Sequence, residues 1–80
     1  MLRIPVDFNT ITADEKERVH INTFVFNDLA QKLHNGLRVV LFEPDLEVEA
    51  TVEFDNDLQE WFGIPDWSTR IDLPYPPPED

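Results

Sequence analysis

The sequence predicts an α+β fold: a small curved antiparallel sheet, or an SH3-like partial barrel, in the order β-β-α-β-β-β with one helix packed against it. Three observations predict it. Apolar and polar residues alternate along residues 2–8 and 46–55, the period of a half-buried strand. Residues 24–35 carry apolar side chains at helical spacing. The chain has 80 residues, so folding buries about 63% of the unfolded surface, enough for one core and no second domain.

Each element follows from its residues. Leu2, Ile4, Val6 and Phe8 alternate with Arg3, Pro5 and Asp7, which reads as a strand. Pro5 has no backbone donor, so this strand belongs at an edge or contains a break. Thr12-Ala13-Asp14-Glu15 has capping-box spacing and predicts a helical turn or tight loop over 13–17. Residues 18–22 form a second short alternating segment. In the predicted helix 24–35, Val25, Leu29 and Leu33 lie four apart, with Phe26 and Ala30 beside them. Lys32 and His34 fall in its last turn, where cations suit the dipole, and Gly36 is placed as its left-handed C′ residue.

Residues 37–43 are almost continuously apolar and predict a central strand covered on both faces. After a turn at Pro44-Asp45, residues 46–55 direct Leu46, Val48, Ala50, Val52 and Phe54 to one face. Glu47, Glu49, Thr51, Glu53 and Asp55 take the other. Asn56-Asp57 turns the chain into a strand at 59–64, Pro65-Asp66 turns it again, and a short segment near 69–73 closes the fold. The globular domain is read as 1–73, with a proline-rich acidic tail at 74–80. No internal repeat is read along the chain.

Composition excludes several functions. Seventeen acids against six bases give a formal charge of −11. Direct binding to nucleic acid needs a basic stripe, and anionic membranes are disfavoured for the same reason. A basic protein surface is the expected partner. The absence of cysteine removes disulfides, thiolate metal sites and cysteine nucleophiles. Neither a signal-peptide pattern nor an apolar run of membrane-spanning length is read, so the expected location is the cytoplasm.

Eight acids and no base lie between Glu43 and Glu60. Glu47, Glu49, Glu53 and Asp55 share one strand face, with neighbours about 6.5–7 Å apart. Two charges at that separation repel by roughly 0.6 kcal/mol in water-like dielectric. A plain solvated face therefore tolerates them. A docking face for a basic protein, with Trp61 or Trp67 as apolar anchor, uses them. Carboxylates at this spacing also imitate the phosphates of a nucleic-acid strand, which gives the alternative reading of an inhibitor that mimics nucleic acid.

Within Trp61-Phe62-Gly63-Ile64, alternation sets Phe62 and Ile64 against Trp61 and Gly63. If Phe62 is core, Trp61 faces outward or toward a second layer; the alternative reading is that both tryptophans close the small core. Gly63 marks either a close backbone approach or a bulge.

Catalysis finds little support. The histidines are His20 and His34 and the serine is Ser68, with no spacing that assembles a triad. Asp66 is expected to cap its own turn. Asp55-Asn56-Asp57 with Glu60 lacks the sixth-position glycine and twelfth-position glutamate of a calcium loop. No metal or cofactor is expected. The reading is a small acidic, non-enzymatic interaction module, with a small enzyme or ligand-binding subunit least favoured. Pairing through the edge at 2–8 would allow a homo-oligomer, against which Pro5 argues.

Overall fold

The computed structural model describes residues 1–12, 17–23 and 28–74. Six strands, one short helix and two 3-10 turns follow one another along them. They are β1 (Arg3–Pro5), a 3-10 turn at Phe8–Thr10, β2 (Val19–Ile21), α1 (Leu29–Lys32), β3 (Arg38–Glu43), β4 (Leu46–Asp55), β5 (Glu60–Pro65), a second 3-10 turn at Trp67–Thr69, and β6 (Ile71–Asp72). The strands form one curled sheet in the order β1-β3-β4-β5-β2, with β6 also on β4.

β4 is the spine. Its residues 46–51 pair with β3, residues 50–55 pair with β5, and Leu46 and Glu47 pair with β6. Between β5 and β6 the ladder is carried by the second 3-10 turn. Asp66 N–H donates to the Glu49 carbonyl at 2.8 Å, and Glu49 N–H donates to the Thr69 hydroxyl at 2.8 Å. Residues 60–72 thus act as one interrupted strand along β4. The strong alternation of 46–55 explains why this strand has the bounds its sequence predicts.

The sheet is mixed, which corrects the expectation of a wholly antiparallel one. β1 runs parallel to β3, with Ile4 opposite Leu41. The intervening 3-10 turn, β2 and α1 supply the long crossover that a parallel pair requires. β1 is an edge strand, as Pro5 demands. Val40 N–H donates to the Leu2 carbonyl at 2.8 Å and Val6 N–H to the Phe42 carbonyl at 3.1 Å. Even-numbered residues therefore face β3, and Pro5 falls on the outward edge, where a missing N–H costs no ladder bond.

The core lies on the concave face. Ile4, Val19, Ile21, Val39, Leu41, Val48, Ala50 and Val52 are almost fully buried there, joined by Leu29 and Leu33. β3 is fully buried on one face, at Val39 and Leu41, whereas Val40 and Phe42 on the other face are half-buried.

The helix is shorter at its end than its sequence suggests. It stops at Lys32, and Leu33 is extended (φ −88°, ψ 145°). The first residues of the predicted helix, 24–27, lie outside the described residues, as do 13–16 of the predicted capping box and 75–80 of the tail. The sheet competes for the chain at the C-terminal side. Gly36 N–H donates to the Val52 carbonyl at 2.9 Å, and Val52 N–H donates to the Leu37 carbonyl at 2.8 Å. Gly36 (φ +89°) is then the third residue of a turn closed by Leu37 N–H on the His34 carbonyl, rather than a helix C′ residue.

Gly63 sits on the concave face, where close approach, not a bulge, explains it. A Cβ there would lie 2.8 Å from Leu41 Cδ1 and 3.4 Å from Ala50 Cβ. Leu41 belongs to β3, two strands from β5, so the curl of the sheet brings it over the glycine. Gly63→Val is expected to lower the unfolding free energy by about 2–3 kcal/mol through overpacking, and Gly36→Ala by about 1 kcal/mol through the positive φ. Urea midpoints report both. A wild-type midpoint for Gly63→Val would show that the concave face has room to spare.

Candidate functional site

The convex face of the sheet carries the acids singled out by the sequence. Alternation along β4 turns Glu47, Glu49, Thr51 and Glu53 outward, because Val48, Ala50 and Val52 are drawn into the core. The facing residues on β3 are Arg38, Val40 and Phe42, set by the pairs Arg38–Thr51, Val40–Glu49 and Phe42–Glu47. Arg3 lies beyond them, opposite Val40.

Three arginines interleave with the carboxylates. Arg3 Nη1 reaches Glu47 Oε2 at 2.5 Å. Arg38 bridges two partners, Glu49 Oε1 at 3.3 Å and Asp66 Oδ2 at 2.7 Å. Arg18 does the same at the far end, with Asp55 Oδ2 at 2.9 Å and Glu53 Oε1 at 3.6 Å. The planar guanidinium suits this bridging, since its donors fork toward separate carboxylates.

Two of these arginines also cover aromatic rings. Arg3 lies 4.9 Å from the centroid of Phe42, and Arg18 lies 4.5 Å from that of Phe62. Phe62 is buried although it faces away from the core. His20 packs edge-on against the same ring at 5.6 Å and approaches Glu60 at 3.6 Å. Trp61 accordingly takes the opposite face to that expected with a core Phe62. It lies half-buried on the concave side, edge-to-face with Phe54 at 4.8 Å.

Trp67 is the more accessible of the two tryptophans, 37% exposed. Its ring lies 6.0 Å from Phe8, and its Nε1–H donates to Glu17 Oε2 at 2.9 Å. These two aromatic residues occupy matched positions. Asp7-Phe8-Asn9-Thr10 and Asp66-Trp67-Ser68-Thr69 form 3-10 turns with the same bonds. In each, the aspartate side chain accepts the N–H two residues on, and the threonine hydroxyl donates to the aspartate carbonyl at 2.7 Å. The sequence contained the signal, Asp-aromatic-(Asn or Ser)-Thr twice, but a four-residue recurrence at a distance of 59 positions does not register as a repeat. Asp66 caps its turn as expected. It accepts the Ser68 hydroxyl at 2.6 Å, which commits that serine to the turn.

The electrostatics follow the contacts. The Ser68 hydroxyl, and then the Arg38 guanidinium, hold the Asp66 carboxyl below its ordinary range. The Leu58 backbone N–H, and then Arg18, do so for Asp55. Asp66 and then Glu49 raise Arg38 further above neutrality. Asp55 Oδ1 also accepts the Asp57 and Leu58 N–H groups at 2.9 Å each, so it organises the β4–β5 turn while its other oxygen holds Arg18.

Beside this lattice is a shallow depression of about 110 Å³, bounded by Arg3, Val40, Glu47, Glu49, Thr69 and Ile71. The sequence did not indicate it, because it exists only where the interrupted strand leaves a gap along β4. Among the described residues, no group of three or more metal-ligating side chains converges. Among the same residues, no helix is long and apolar enough to cross a membrane. Comparison with protein-family models, with curated proteins and with solved structures returns no match.

A pH dependence follows from the two depressed aspartates. Above the ordinary value of 3.8, both are charged in the folded and unfolded chain, and their contribution to stability is complete. Below it the unfolded chain takes up protons first, so that contribution is lost as pH falls through the lower folded values. Melting temperatures measured between about pH 5 and pH 2 should fall more steeply for the wild type than for Asp66→Asn. Parallel curves would show that the Asp66 carboxylate contributes nothing through its charge.

Proposed function

We propose that this chain is a cytoplasmic, non-enzymatic interaction module built on an SH3-like partial barrel. It docks a basic protein surface through the convex face of β4, with Glu47, Glu49, Glu53 and Asp55 as the recognition row and Trp67 as an exposed apolar anchor. The observation that carries this reading is the row of carboxylates on that face. Among the described residues, five carboxylates (these four and Asp66) meet three guanidinium groups.

The ion pairs support docking in two ways. They hold the carboxylates in fixed positions before a partner arrives, which reduces the ordering cost of binding. They are also exchangeable where they are exposed. The Arg3 side chain is 53% exposed, and surface pairs of that kind contribute little to stability. An incoming cation therefore competes on near-equal terms. The mimicry alternative uses the same carboxylates as stand-ins for phosphates, and their pairing with Arg3, Arg18 and Arg38 offsets part of the charge it draws on.

The test is capture of proteins from native lysate, washed at low and at high salt, with the wild type and with Glu47→Lys/Glu49→Lys/Glu53→Lys. Circular dichroism verifies that the variant is folded. The expected result is capture of basic proteins that high salt weakens and charge reversal reduces by about tenfold or more. Capture that survives the triple reversal would remove the convex face from the reading. Displacement of the captured protein by nucleic acid would favour mimicry instead.

A further inference from the structure

We infer that the depression beside β4 is a seat for one lysine side chain of the basic partner. This inference rests on the docking reading above and gives it a chemical contact. Three properties of the depression define the occupant.

The first is size. At about 110 Å³, the depression is well below the roughly 300 Å³ where small-molecule and cofactor sites begin. It fits a single side chain. The second is lining. Val40 and Ile71 provide apolar walls, and Ile71 is 53% exposed. The same space is bounded by Glu47 and Glu49, whose carboxylates each retain acceptor capacity beyond one bond to arginine. An apolar stem with a cationic head matches that division. The third is charge. Among the described residues, Arg3 and Arg38 supply two positive charges against three negative charges on Glu47, Glu49 and Asp66. One further cation balances that group.

Lysine is favoured over arginine by shape. The guanidinium groups of this face rest on phenylalanine rings or bridge carboxylates in the sheet plane. Among the described residues, the lining of the depression offers no ring to stack on. Its two glutamates lie between Val40 on β3 and Ile71 on β6, which suits a compact ammonium with three donors. The lysine methylenes lie along Val40 and Ile71, and the ammonium sits between Glu47 and Glu49. Arg3 keeps one oxygen of Glu47 or swings into solvent.

The experiment is a titration of the full ¹⁵N-labelled chain with acetyl-Gly-Lys-Gly-amide at low salt, followed by amide chemical shifts. The same peptide carrying Nε-acetyl-lysine, and one carrying arginine, are the controls. The expected result is a saturable shift confined to Val48, Glu49, Thr69 and Ile71, at least about tenfold weaker for the acetylated peptide and weaker for the arginine peptide. Glu47→Gln/Glu49→Gln should weaken binding about tenfold. Ile71→Ser, at an exposed position outside the core, should weaken it about threefold by removing the apolar wall.

Shifts centred on Glu53 and Asp55, or binding unchanged by Ile71→Ser, overturn the lysine seat and leave the docking reading standing. Equal binding of the arginine peptide also overturns it. Shifts at Ile71 that grow with protein concentration alone assign the depression to a second copy of the chain and overturn it too. No shift with either cationic peptide overturns the lysine seat, while the docking reading stands or falls by the triple charge reversal.

Discussion

The convex face of this sheet depends on the guanidinium groups laid across β4. No helix or second sheet covers that face among the described residues, yet it carries Phe42 and Phe62. Arg3 and Arg18 cover those rings, and the carboxylates of Glu47, Glu53 and Asp55 hold the two arginines in place. The lattice is thus a thin polar substitute for a packing layer. It lets an 80-residue chain spend its apolar residues on one concave core. It also explains why acids accumulate on β4: they are the anchors of the cover as well as a charged surface. Arg18 is the more buried instance, with 12% side-chain exposure, so its pairs are less screened by water than those of Arg3.

The strand pattern was legible because it was set by alternation. Residues 46–55 alternate without a fault, and a one-residue slip would bury Glu47, Glu49 and Glu53. Pro5 announced an edge for an equally local reason. What escaped sequence reasoning was non-local. The parallel β1–β3 pair joins residues about 37 positions apart, and nothing in either strand reports its partner's direction. The face of Phe62 was read by hydrophobicity, and an arginine cover defeats that criterion. Gly36 carried the right conformation for the wrong reason, since a positive φ serves a turn as well as a helix end. Of the candidate site, the row of acids was visible and its arginines were not, because Arg3, Arg18 and Arg38 come from three separate segments.

The two Asp-aromatic-(Asn or Ser)-Thr turns show how the chain leaves its sheet without exposing unpaired backbone. Each aspartate side chain accepts the N–H two residues on, and each threonine hydroxyl donates to the aspartate carbonyl. The first turn follows β1 and the second links β5 to β6. In the second, the threonine also takes the Glu49 N–H, so the turn replaces a missing rung of the ladder. The aromatic residue between them is free to face its counterpart, Phe8 toward Trp67. This is a local sequence solution reused at two sites rather than a duplicated domain.

The second turn also links the charged convex face to the depression beside β4. Its first residue, Asp66, shares Arg38 with Glu49; its last, Thr69, bounds the depression and holds the β4 backbone. Trp67 lies between them. A change in the turn therefore acts on the charge of the convex face, on the shape of the depression and on the placement of the exposed aromatic at once. Acids occur on every strand from β3 to β6. What distinguishes this region is that charge, an apolar wall and a missing rung coincide there, and the coincidence arises from four residues whose hydrogen bonds fix one another.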